Sequence, residues 1–136
     1  MKNFKFYYLF AFALVGCLFI TSCGDDDDDD TNKVTITIEE PLDGSTIADC
    51  SEVHVHIEFE ATEENHEFEI VLHPEGNVDD KIIDYDEHDH DKKIEFEQEV
   101  NLCDYPAGQC FHLEVVACED HDCGEKATAE AEFCLQ

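Results

Sequence analysis

From Val34 onward the chain alternates apolar and acidic residues, and a period of two marks strands with one buried and one wet face. VTITI (34–38) puts Val34, Ile36 and Ile38 on one side. EVHVHIEFEA (52–61) sends Val53, Val55, Ile57 and Phe59 inward, with His54, His56, Glu58 and Glu60 outward. HEFEIVLH (66–73) buries Phe68, Ile70 and Leu72, and KIIDY (81–85) is a shorter segment. KIEFEQEVNL (93–102) buries Ile94, Phe96, Val100 and Leu102. CFHLEVVAC (110–118) buries Phe111, Leu113, Val115 and Ala117. KATAEAEFCL (126–135) is rich in small residues and ends on Phe133 and Leu135. No segment carries a sustained helical period. Turn-forming clusters lie between these runs: Pro41-Leu42-Asp43-Gly44, Pro74-Glu75-Gly76-Asn77 and Pro106-Ala107-Gly108. Seven short strands in roughly a hundred residues predict an all-β domain, a two-sheet antiparallel sandwich.

The start of the chain follows a different pattern. Lys2 and Lys5 precede an uncharged apolar run, Phe6 to Ile20, too short for the roughly 20 residues of a spanning helix. Ile20-Thr21-Ser22-Cys23 then closes the run with small residues and a cysteine, in the layout of a secretory signal. This resembles the bacterial lipobox, which implies diacylglycerol on the Cys23 thiol, cleavage before Cys23 and acylation of the new terminus. Leu14-Val15-Gly16-Cys17 fits the same pattern and remains the rival. Cys23 is favoured because the chain turns polar directly after it. At about 0.8 kcal/mol per buried methylene, several acyl chains suffice for stable anchoring. Gly24 and Asp25 to Asp30 cannot bury anything and repel one another, so they read as an extended tether. An acidic run just after the lipidated cysteine also resembles the surface-export signal of Bacteroidota lipoproteins. The expected organisation is a cleaved lipoprotein signal peptide (1–22), a lipidated cysteine with its tether (23–33) and one domain (34–136).

Within that domain, PLDGSTI (41–47) and AGQCFHLEVVACEDHDCGE (107–125) resemble the bacterial immunoglobulin-like and fibronectin type III-like domains of cell-surface proteins. That likeness implies a seven-stranded antiparallel immunoglobulin-like β-sandwich. It implies a fold and not an activity.

Charge narrows the partners. With 36 acids against 7 basic residues the formal charge is −29, and cutting before Cys23 removes two lysines and no acid. Such a field repels phosphate backbones, which excludes nucleic acid, and it repels anionic head groups, which leaves the lipid as the membrane attachment. Divalent cations are its natural counter-partners. Nucleophile chemistry is poorly provided for: Ser45 and Ser51 follow the cleavage site, neither in a G-x-S-x-G setting, and a non-enzymatic protein is expected. Sugar stacking is disfavoured as well, because the chain has no tryptophan.

After Cys23 come Cys50, Cys103, Cys110, Cys118, Cys123 and Cys134, an even set in an exported chain, which reads as a disulfide framework. A zinc-thiolate cluster would call for a paired C-x-x-C, which is missing. Cys118 and Cys123 face each other across one turn, so Cys118–Cys123 is the firmest expectation. The other four fall on the outward phase of their strands. That favours Cys50–Cys103 and Cys110–Cys134, with Cys103–Cys110 plus Cys50–Cys134 as the alternative.

All eight histidines lie in the domain. In a seven-strand arrangement the second, fourth and sixth connections meet at one end. They bring His66, then His88 and His90 in DEHDHD (86–91), then His121 in CEDHDC (118–123), with Glu63, Glu64, Asp86, Asp89, Asp91, Asp120 and Asp122 around them. Imidazole with carboxylate suits zinc, copper or nickel. The expected ligand set is His66, His88, His90, His121, Asp86 and Asp89, with zinc or copper as the metal. A second candidate is His54 and His56, which share the outer face of one strand beside Glu95, Glu97 and Glu99. The competing reading in both places is plain surface histidine softening the repulsion among acids. DYDEHDHDKKIE (84–95) mimics an EF-hand loop but has Asp89 where the turn glycine belongs, and is set aside. The overall expectation is a lipid-anchored binding module of the cell outer membrane that takes a divalent metal. The rival is a structural or adhesive module whose partner is another envelope or extracellular protein.

Overall fold

The computed structural model describes residues 31–136; Cys17, Cys23 and the aspartates Asp25 to Asp30 lie outside the described residues. Eight strands follow in order: β1 (Val34–Glu40), β2 (Ser45–Ile47), β3 (Val53–Ala61), β4 (Glu67–Pro74), β5 (Ile83–His88), β6 (Lys93–Val100), β7 (Cys110–Cys118) and β8 (Lys126–Leu135). No helix occurs among the described residues. One sheet has three strands in the order β1-β3-β6, and the other has five in the order β2-β8-β7-β4-β5. The alternation works as expected. Along β3, Val55, Ile57 and Phe59 are fully buried, while His54, His56 and Glu58 stay partly exposed on the other face. Across the gap, Phe59 of β3 lies 4.6 Å from Phe68 of β4, ring centre to ring centre, which joins the two sheets through one core.

The antiparallel seven-strand expectation needs correcting. There are eight strands, and the extra one, β2, pairs parallel with β8, Ser45 opposite Phe133 and Ile47 opposite Leu135. Three residues are too few for a two-residue period to show. Pro41-Leu42-Asp43-Gly44 reads as a turn that ends a strand, whereas here it passes the chain from one sheet to the other. Gly44 makes that passage at φ 71°, where a side chain would be strained, and its N–H donates to the Glu132 carbonyl at 2.7 Å.

Three disulfides hold the sandwich: Cys50–Cys103, Cys110–Cys134 and Cys118–Cys123. Cys110 and Cys134 are direct partners in the β7–β8 ladder. Cys50 and Cys103 sit just beyond the paired ends of β3 and β6, where the Leu102 N–H still donates to the Cys50 carbonyl at 2.8 Å. Both bridges cap one end of the sandwich. Cys118–Cys123 closes the β7–β8 loop at the other end, and there the histidine-bearing loops are found.

Candidate metal centre

Three loops make the site: residues 62–66 between β3 and β4, 89–92 between β5 and β6, and 119–125 between β7 and β8. Backbone and amide hydrogen bonds stitch the first two together. Asn65 is 2% exposed, and its side-chain Nδ2 donates to the carbonyls of Asp91 at 2.7 Å and Lys92 at 3.2 Å. The Asp89 N–H donates to the His66 carbonyl at 3.0 Å. In the third loop the Asp120 carboxylate accepts from the N–H groups of Gly124 (2.8 Å) and Glu125 (3.0 Å), and Cys118–Cys123 fixes the same turn around His121. Gly124 leaves room for this closeness: a Cβ there would meet Asp120 Oδ2 at 3.2 Å, and the carboxylate would have to give by a few tenths of an ångström. These amide bonds hold the Asp120 carboxyl below the usual range; His66 nearby adds a smaller pull in the same direction.

Side chains from all three loops meet. Glu64, His66 and His90 each offer a donor atom within 4.8 Å of the others. The His66 ring lies 4.3 Å from that of His121 and 5.7 Å from that of His90, and His90 lies 5.6 Å from His121. Two imidazoles on one tetrahedral zinc, with Zn–N of 2.0–2.1 Å, hold their ring centres roughly 5 Å apart. The three spacings here bracket that value.

His66 is the unusual member. It is 6% exposed, and its buried Nδ1 finds no hydrogen-bond partner among the described residues. An orphaned buried nitrogen costs about 1–3 kcal/mol, so such groups call for an explanation. Burial lowers the His66 pKa, with repulsion from His121 next, partly opposed by Glu64. The ring is therefore kept neutral, the form that can ligate a metal.

The other expected residues divide. His88 lies at the far side of His90: His90 Nδ1 faces Glu64 Oε2 at 3.3 Å, while His90 Nε2 is 3.1 Å from His88 Nε2. Asp86 sits opposite Glu69 in the β4–β5 ladder, and the Asp89 carboxylate accepts from the Asp91 N–H at 2.8 Å. Of the expected set only His66 and His90 belong to the close donor group; His88, His121 and both aspartates lie outside it, with the His121 ring packed against His66. A short acidic loop satisfies its own backbone first, a local preference invisible in composition. Glu64 takes their place; the sequence shows it only as a carboxylate two residues before His66.

The second candidate behaves differently. His54 and His56 stand opposite Glu99 and Glu97 in the β3–β6 ladder, as expected, but their ring centres are 6.1 Å apart. His54 Nδ1 contacts Glu40 at 3.2 Å, whereas His56 Nε2 lies 3.9 Å from Glu97, beyond hydrogen-bond reach, and is itself buried without a partner; among the described residues no close group of three donors forms around either. A third pair escaped sequence reading. His73 and His112 stack across β4 and β7 at 5.8 Å, and His73 is satisfied by donating to the Pro74 carbonyl at 3.0 Å.

No protein-family model matches the chain, and no curated protein matches it significantly.

Proposed function

We propose that this is a non-enzymatic, lipid-anchored envelope protein whose immunoglobulin-like domain binds a divalent transition metal, zinc or copper, at Glu64, His66, His90 and His121. The anchor is Cys23, and the acidic tether places the domain on the outer membrane, facing outward. The immunoglobulin-like character is supported by the way consecutive strands change sheet: β3 to β4, β5 to β6 and β6 to β7 each cross between them.

The observation that carries the metal reading is His66, buried with an unpartnered Nδ1, in one close donor group with Glu64 and His90 and with the His121 ring 4.3 Å away. Three imidazoles and a carboxylate are borderline donors that favour zinc or copper over calcium or magnesium. His88 then acts behind the ligands. When a metal takes His90 Nδ1, the remaining N–H is on Nε2 and donates to His88 Nε2, the kind of outer contact that fixes a ligand's tautomer.

The adhesive alternative would call for an exposed apolar patch. Among the described residues the exposed large apolar side chains are Leu42 and Val78, on different loops, which favours the metal reading. The deciding experiment is metal analysis and calorimetric titration of the full-length protein, purified in detergent without a polyhistidine tag. One equivalent of zinc or copper is expected, with uptake abolished in a His90→Ala/His121→Ala variant. No uptake, or equal uptake by that variant, overturns the assignment.

A further inference from the structure

We infer that the metal centre reaches back to the residue where the tether meets the domain: Asn32 is a positioning residue that ties two ligand-bearing loops together, so metal occupancy and the seating of residues 31–33 are linked. This rests on the metal reading above.

The compact unit begins at Thr31, ahead of the first strand. Asn32 uses its whole amide there. Its Nδ2 donates to the Glu64 carbonyl at 2.7 Å and to the Glu119 carbonyl at 3.0 Å. Its Oδ1 accepts from the Glu63 N–H at 3.0 Å and from the Thr62 hydroxyl at 3.3 Å. A primary amide offers two donors and two acceptor sites, so all its capacity is spent on this contact. Two of the carbonyls and amides it holds belong to the loop of Glu64 and His66, and one belongs to the loop of His121.

Lys33 and Val34 continue the strap. The Lys33 N–H donates to Thr62 Oγ1 at 2.9 Å, and its carbonyl accepts from the Thr62 N–H at 2.9 Å. The Glu119 carboxylate receives the Lys33 ammonium at 3.0 Å and the Val34 N–H at 3.1 Å. Hydrogen bonding from Lys33 holds the Glu119 carboxyl below its usual range, helped by the Val34 N–H. The run from Asn32 to Val34 therefore closes the gap between loops 62–66 and 119–125.

A metal held by Glu64, His66 and His121 would close the same gap. Two ties across one gap are cooperative, because whichever forms first removes loop freedom that the second would otherwise have to remove. Asp25 to Asp30 directly precede this strap in sequence. Metal loading thus fixes the point at which the tether leaves the domain, and displacement of the strap loosens the metal.

The test uses the full-length protein in detergent, without a polyhistidine tag, titrated with zinc. In the wild type, zinc should slow hydrogen exchange at the Lys33, Thr62 and Glu63 amides. Asn32→Ala should bind zinc about tenfold more weakly and show a smaller zinc-induced rise in melting temperature. If Asn32 were merely structural, its loss would lower the melting temperature equally with and without zinc. Thr62→Val removes the hydroxyl that both Asn32 and Lys33 use, and it decides the matter if Asn32→Ala does not fold. Unchanged zinc affinity in the folded variants, or unchanged exchange at Lys33 in zinc-saturated wild type, overturns the linkage and leaves the metal reading standing. A wild type that takes up no zinc overturns the metal reading and the linkage with it.

Discussion

His54 and His56 on β3 differ from the loop histidines only in where the chain puts them. On the strand, His54 contacts Glu40 at 3.2 Å, His56 Nε2 lies unpartnered 3.9 Å from Glu97, and the two rings stay 6.1 Å apart. In the loops, His66, His90 and His121 are crowded to between 4.3 and 5.7 Å, and one of them is buried with an empty nitrogen. A strand fixes side chains along a line, with donors of one face spaced by the pleat. Loops from three connections, two that cross between the sheets and one hairpin, can instead converge on a point. Histidine spacing in sequence is therefore a poor guide to which imidazoles come together, and the position of a histidine relative to strand ends is a better one.

The largest test of that contrast is metal-induced stabilisation. At a hundred times its dissociation constant, a metal that ignores the unfolded chain adds about 2.7 kcal/mol. His90→Ala/His121→Ala should lose this rise in thermal melting, and His54→Ala/His56→Ala should keep it. The opposite result would move the site to the strand face.

A second experiment separates holding the loop from holding the fold. Removing Cys118–Cys123 by double alanine substitution should cost about 2 kcal/mol, the chain-entropy value for so short a loop. It should also weaken zinc binding, because His121 sits inside that loop. Removing Cys50–Cys103, at the opposite end, should cost more stability for its 53-residue separation while leaving zinc affinity unchanged. Chemical denaturation and zinc titration of both variants give the two readouts.

The third concerns the metal-free protein and pH. Burial places the folded pKa of His66 below its unfolded value of about 6.5. Between those two values the unfolded chain binds the proton and the folded chain does not. Stability from this group is thus complete above about pH 6.5 and is lost as pH falls toward the lowered value. Melting in the presence of a chelator should show that decline, and His66→Asn should flatten it. A decline of the same size in the variant would assign it to other groups.

Much of the fold could be read in advance, and the reasons are physical. Long strands such as CFHLEVVAC carry enough alternation to reveal their ends, and β7 spans those residues, Cys110–Cys118. The bridges could be read because Cys110 and Cys134 share a register position and Cys118 and Cys123 share a turn. Strand β2 was hidden by its three-residue length. Within the site, histidines were legible as a rare residue type placed at strand ends. The carboxylates were not, because in so acidic a chain every loop has several. What distinguishes Glu64 from Asp86 and Asp89 is backbone geometry: Asp89 is occupied by the Asp91 N–H, and Asp86 lies along the β5 ladder. Asn32 carried no signal at all, since its role depends on contacts 32 and 87 residues away.

The smallest expected effect lies on the strand face. If His54 and His56 serve only cross-strand pairing, each contact with a glutamate is worth roughly 0.2–1 kcal/mol. The glutamates are exposed and open to salt, so raising ionic strength should shrink the contribution further. A double-mutant cycle of His56→Ala and Glu97→Ala, read by denaturant unfolding, isolates the coupling from the loss of either side chain alone. The expected coupling is below 1 kcal/mol, unaltered by zinc. A zinc-dependent coupling between these two residues would mean that the strand face also binds metal, and the contrast between line and point would no longer separate the two histidine groups.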